Sequence, residues 1–207
     1  MKKVFLSFLL TAGVASFSHA QGVQLGLRAG VNLANYAGEG KKTFEDFAGV
    51  ELKQLVGFHG GVTLNAPLSS DGFFSLQPEL LYSQKGFRIE EDDAKQTVRH
   101  HFIDLPLLAR INADGLIFEA GPQLGYLAAS KSKLEAPNAN DEEDSVEGYN
   151  RFQIGYIAGV GYQFASGPSI TVRYNGGITG VEEDADDDMK ARNSVFQFSL
   201  GYTFGGK

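Results

Sequence analysis

The chain has 207 residues, 25 acidic and 18 basic side chains, a formal net charge of −7 and no cysteine. So acidic a chain offers no basic surface for a phosphate backbone, which excludes nucleic acid as a partner. The missing thiols exclude disulfide frameworks, zinc–thiolate centres and cysteine chemistry, and the length suits one domain.

Residues 1–20 read as a secretory signal peptide. Lys2 and Lys3 form a basic start, Val4 to Val14 an apolar stretch, and Ser18-His19-Ala20 a small-x-small cleavage site ahead of Gln21. Its removal leaves residues 21–207 as a single domain with 16 bases against 25 acids. No later run approaches the ~20 apolar residues of a spanning helix.

From residue 23 onward the chain alternates apolar and polar residues with a period of two. Val23, Leu25, Leu27, Ala29, Val31 and Leu33 point one way, while Gln24, Gly26, Arg28, Gly30 and Asn32 point the other. The same pattern predicts strands at 23–35, 54–66, 73–87, 97–111, 115–128, 150–164, 168–179 and 193–204. Their apolar faces carry Val56, Phe58 and Val62, then Phe74, Leu76, Leu80 and Tyr82, then Ile103, Leu105 and Leu107. Leu116, Phe118, Leu124 and Tyr126 follow, then Ile154, Tyr156 and Val160, then Ile170 and Val172, and finally Phe196, Phe198, Leu200 and Tyr202. Segments of about 12–15 residues exceed the usual soluble strand and suit tilted membrane crossings.

Connectors after the second, fourth and sixth strands are short and rich in turn formers: residues 67–72, Asn112-Ala113-Asp114-Gly115 and Ala165-Ser166-Gly167-Pro168. The other connectors are longer and acidic. Sixteen acids fall in Glu90–Asp93, Glu135–Glu147 and Glu182–Asp188, and four more between Glu39 and Glu51. Short turns at one end and long polar loops at the other is the outer-membrane arrangement, with both termini on the periplasmic side. The rival is a water-soluble lipocalin-like barrel, which turns its apolar residues inward. It fits poorly, because the polar face carries many glycines plus Arg28, His59, Glu79, Asp104, Arg110, Glu119 and Arg173, too sparse a set to solvate an outer wall. Aromatics near strand ends, as at Tyr162, Phe164, Tyr202 and Phe204, match an interfacial girdle. The expected fold is all-β: an eight-stranded antiparallel up-and-down transmembrane β-barrel.

Four segments carry a family resemblance: Gly26-Leu27-Arg28-Ala29-Gly30-Val31-Asn32, the run Leu76-Gln77-Pro78-Glu79-Leu80-Leu81-Tyr82-Ser83-Gln84-Lys85-Gly86, Ile103-Asp104-Leu105-Pro106-Leu107-Leu108, and Gly121-Pro122-Gln123-Leu124-Gly125-Tyr126. In this order they resemble the PorT-like outer-membrane β-barrel domain proteins of the Bacteroidetes, over about residues 23–204. The resemblance implies fold and location in the outer membrane. One branch of that family is linked to protein export to the cell surface, and these motifs do not assign the chain to it.

On the inward register Arg28, Glu79, Asp104, Arg110, Glu119 and Arg173 give three acids and three bases, expected to form a salt-bridge network that plugs a narrow lumen. The rival readings are a proton or solute path and catalytic carboxylates. His59 is expected inside, and His100 and His101 near the outer end of the fourth strand. Ser75 and Ser83 share the inward register, but no spacing marks a nucleophile beside a base, so the expectation is not an enzyme. Asp184-x-Asp186-x-Asp188 imitates half of a calcium loop. It lacks the turn glycine, where Met189 stands, and the bidentate glutamate, where Val195 stands, so a solvated loop is preferred to a metal site. Glycines such as Gly159 and Gly161 sit inside strands, where they make room for lumen side chains rather than cradle a nucleotide.

No cofactor is expected. The partner is outer-membrane lipid, with envelope or secretion proteins as the candidate protein partners. Two functions remain open: a non-enzymatic envelope-structural or surface-interaction protein working through acidic loops, and an accessory component of an export or transport assembly. A small pore or a lipid-modifying enzyme ranks behind both.

Overall fold

A computed structural model describes residues 22–91, 94–137, 139–183 and 190–204. The expected signal peptide and the Asp184–Asp188 motif lie outside the described residues. The elements are β1 (Gln24–Ala37), α1 (Glu39–Ala48), β2 (Lys53–Pro67), β3 (Phe74–Glu91), β4 (Ala94–Ala113), β5 (Leu116–Ala136), β6 (Ala139–Asp144), β7 (Phe152–Gln163), β8 (Pro168–Gly177) and β9 (Arg192–Thr203). Each barrel strand pairs antiparallel with its neighbours, β4 pairs with β5, and β9 returns to β1, so eight strands close on themselves without an edge. The ninth strand, β6, folds back on the upper part of β5 and lies outside the ring.

Side chains sort as an inverted globule. Val31, Phe58, Leu105, Phe118, Ile154, Phe198 and Leu200 are exposed, while Arg28, Glu79, Asp104, Glu119 and Arg173 are buried. An apolar wall of this extent cannot face water, and it fits the lipid face of a membrane barrel. Aromatic pairs sit at both ends of that wall: Tyr162–Phe164 and Tyr202–Phe204 beside the short turns, and Tyr126–Phe152 at the other end, all with ring centroids 5.1 Å apart. These are the positions of interfacial anchors.

The long-loop end differs from its expected form. The connectors after the third and fifth predicted strands are not loops. β3 and β4 continue pairing as far as Glu91 and Ala94, and β5 turns into β6. Above the lipid both faces of a strand meet water, so the period-two signal vanishes although the ladder continues. Cross-strand charge pairs take over: Glu90 faces Lys95, and Lys131 faces Asp144. Lys53 donates to Glu90 at 3.1 Å and holds its carboxyl below the usual range.

The helix α1 was also not expected from the pattern. Lys42 donates to Glu39 at 2.7 Å and Lys41 stands 3.5 Å from Glu45, the i,i+3 and i,i+4 spacings that support a short helix. Gly49 ends it in the left-handed conformation, at φ 67°. Beneath this end lies a small apolar core of Tyr36, Leu52, Phe87, Val98 and Val181.

Candidate functional site

An eight-stranded barrel is just wide enough to fill with side chains, and the inward register decides which ones. All six expected charged residues are buried. Four of them meet. Arg173 on β8 donates from Nη1 and Nη2 to the two carboxylate oxygens of Glu79 on β3, both at 2.8 Å, and from Nε to Oε1 of Glu119 on β5. Arg28 on β1 stands 3.5 Å from Glu79 and 3.6 Å from Glu119, and donates to Thr171 Oγ1 at 2.5 Å. The side chains of Arg173, Glu79 and Glu119 are 0% exposed and that of Arg28 is 5% exposed, so the cluster is almost wholly removed from water. Two guanidiniums and two carboxylates form one neutral cluster, in which the Arg173–Glu79 pair is bidentate while Arg28 Nε and Glu119 Oε2 have no hydrogen-bond partner.

Asp104 and Arg110 do not join it, which corrects the expected six-residue network. Asp104 pairs with Lys85 on β3, at 3.0 Å, and the same ammonium lies 4.6 Å from the centre of the Phe102 ring. Arg110 faces Glu119 directly across the β4–β5 ladder. Glu119 nevertheless leans toward β8, because Gly159 leaves open the space between them. Arg110 donates instead to Gln77 Oε1 and Gln163 Oε1, both at 2.8 Å. Gln77 in turn donates to Glu79 at 2.6 Å, linking Arg110 to the cluster through a neutral amide. With Lys85 counted, the buried charges of the described residues are four bases and three acids, so the balance of three against three is corrected as well. Lys85 stands two positions beyond Ser83 on the inward register of β3, whose pairing with β4 runs unbroken through it, so the same alternation that marked the other six pointed to it as well.

His59 points inward, between Asn32 and Ser199: its Nδ1 is 2.7 Å from Asn32 Oδ1 and its Nε2 2.8 Å from Ser199 Oγ. This row resembles a serine–histidine–amide arrangement, but its members are 2%, 0% and 3% exposed, in a filled lumen. Asn32 is also committed to Ser83, to the Gln84 carbonyl and to Gln197. A nucleophile needs access to an acyl carbon and a donor for the resulting oxyanion, and the row offers access to neither. Ser75 lies elsewhere, accepting from Asn65 at 2.8 Å. Sequence spacing could not reveal the Ser199–His59 contact, since the partners are 140 positions apart and meet only on closure of the ring.

His100 sits at the top of the lumen, 2.5 Å from the Tyr36 hydroxyl and 3.0 Å from Ser130 Oγ, with the Tyr149 ring edge-on at 4.8 Å. His101 points to the other face, 2.5 Å from the Tyr82 hydroxyl. The histidines therefore belong to packed polar contacts at two levels, and no group of three or more metal-ligating side chains occurs among the described residues.

No curated protein sequence matches the chain. Among solved structures it is similar to Neisserial surface protein A, with a TM-score of 0.54 at 10% identity, covering 89% of this chain and 100% of that one. It is also similar to Ail, the attachment invasion locus protein of Yersinia pestis, with a TM-score of 0.47 at 13% identity, covering 87% and 98%. The first of these likenesses matches the closed antiparallel ring and extends to the fold alone. The family model described as outer membrane protein beta-barrel domain matches residues 15–205, and the chain belongs to that family.

Proposed function

We propose that this chain is a non-enzymatic, non-conducting outer-membrane barrel that works at the cell envelope through its long-loop end, as a structural or surface-interaction protein. The observation that carries this reading is the neutral Arg28–Glu79–Glu119–Arg173 cluster, almost wholly removed from water across the middle of the lumen. A closed lumen argues against a pore, and the burial of His59 and Ser199 argues against hydrolysis. What remains exposed and varied in chemistry lies above the lipid: α1, the β3–β4 hairpin and the β5–β6 hairpin, rich in charge. In this reading residues 1–20 are a cleaved export signal, the acidic segments face the exterior, and the domain comprises residues 21–207.

The Gln77-Pro78-Glu79-Leu80 and Leu105-Pro106-Leu107-Leu108 segments support a second reading, a PorT-like accessory component of an export assembly. In both readings the barrel is a scaffold. Planar-bilayer recording tests that shared claim: the purified barrel is expected to show no steady conductance, and stable ion-selective channels would replace the scaffold with a porin-like transporter. Crosslinking in the native envelope separates the two readings, since an export component is expected to trap the same secretion proteins repeatedly.

A further inference from the structure

At the end of the barrel that carries the short turns, a polar cavity of about 470 Å³ opens outward, lined by Arg110 together with Asn65, Ser75, Asn112 and Gln163. Arg110 is 5% exposed. A guanidinium has five N–H donors, of which Arg110 commits two, both to neutral amide oxygens. Its Nε is buried without a partner, and no described carboxylate lies within ion-pair distance of it. The other buried charges are balanced: Arg28 and Arg173 with Glu79 and Glu119, and Lys85 with Asp104. The surplus positive charge of the lumen is therefore on Arg110, beside a large polar cavity.

A buried cation without a counter-charge is costly, and a planar guanidinium matches a carboxylate in charge and shape. Asp71 and Asp114 also border the cavity. With two carboxylates against one guanidinium on the lining, each further negative charge on a ligand is on balance repelled, so a singly charged group is preferred to a doubly charged one. We propose that the periplasmic mouth binds a small monovalent carboxylate against Arg110.

The test uses the mature chain in phospholipid nanodiscs with 15N-labelled arginine, titrated with sodium acetate and separately with inorganic phosphate at neutral pH and fixed ionic strength. The Arg110 Nε–H resonance, identified by its absence in Arg110→Lys, is expected to shift saturably with acetate, and phosphate is expected to need at least severalfold higher concentration. Calorimetry on Arg110→Gln, which keeps a polar amide but not the charge, is expected to show loss of the acetate heat. Asp71→Asn with Asp114→Asn is expected to narrow the gap between acetate and phosphate. A wild-type resonance that never saturates overturns the proposal, and that readout holds even where Arg110→Gln fails to fold. Equal or tighter binding of phosphate overturns it too, as does acetate binding that survives Arg110→Gln.

Discussion

Glu119 and Arg173 stand two strands apart and meet over Gly159, the residue that pairs with both of them in the ladder. A Cβ on Gly159 would lie 2.8 Å from Arg173 Cγ and 3.3 Å from Glu119 Cγ. The missing side chain is thus the space in which the ion pair forms. Gly30 pairs with both His59 and Ser199, and a Cβ there would overlap the Phe198 carbonyl oxygen and lie 2.8 Å from His59 Cε1, so its absence serves the backbone approach as well as the side-chain contact. In this lumen glycine decides which polar residues can reach one another across an intervening strand.

Gly159→Val should therefore disrupt the ion cluster, and it also presses on the neighbouring strand, since a Cβ there would lie 3.0 Å from the Val172 carbonyl oxygen. Displacing Arg173 from Glu119 should destabilise the barrel by about 3–5 kcal/mol. Urea unfolding in phospholipid vesicles measures it. A stability indistinguishable from the parent's would mean that the two side chains do not need the gap.

Arg173→Ala removes the central member and leaves two carboxylates facing Arg28 alone. The expected loss is again about 3–5 kcal/mol, because an uncompensated charge stays buried. Adding Glu119→Gln to the same chain should recover much of that loss, since Glu79 then remains as the counter-charge of Arg28. Failure of the double variant to regain stability over Arg173→Ala would show that size, not charge, is what Arg173 supplies.

Strand β9 tests the two faces of the wall. Leu200 is 66% exposed, and an arginine there near the bilayer midplane should cost about 2–4 kcal/mol. Ser199→Ala should cost about 1–3 kcal/mol, because it leaves His59 Nε2 buried without a partner. An arginine at Leu200 that costs nothing would contradict the outward register.

The β5–β6 hairpin should respond to pH while the barrel beneath it does not. Lys133 donates to Glu135 at 2.7 Å and holds that carboxyl below its ordinary range. A carboxyl lowered in the folded state adds stability above its unfolded pKa, and that stability is lost as pH falls through the folded value. Lys131, held above its usual range by its hydrogen bond to Asp144, behaves oppositely: its contribution is present below the unfolded pKa and lost as strongly alkaline pH passes the folded one. Amide protection factors in residues 139–144, corrected for intrinsic exchange, should be greatest near neutrality and fall first on acidification. A hairpin whose protection is flat across the acid range would mean these surface pairs contribute nothing to it.

The wall was legible in the sequence because each lipid-crossing residue alternates between two solvents, as along Val31, Asn32 and Leu33 or Phe196, Gln197 and Phe198. The inward charges were legible by the same rule. Their partners were not. Arg110 stands opposite Glu119 yet does not bind it, and Arg173 bonds to Glu79, 94 positions away, through a lumen whose diameter and glycine gaps no local pattern encodes. Nor could alternation reach β6 or α1, which lie beyond the bilayer, where charge pairs and a glycine cap replace apolar periodicity.

The ion cluster also bears on how such a barrel completes its folding. Arg28, Glu79, Glu119 and Arg173 arrive from β1, β3, β5 and β8, so no single hairpin contains enough of them to neutralise the group. Early intermediates must carry these charges hydrated, and the water can leave only when the terminal strands join at the β1–β9 seam. A seam joined one residue out of step would turn Arg28 toward lipid and strand two carboxylates inside. The charges that seal the finished lumen are thus expected to act earlier as a proofreading step, since an unpaired buried charge is costly in any other register. The slow event in folding is then expected to be long-range ring closure, not formation of any one hairpin.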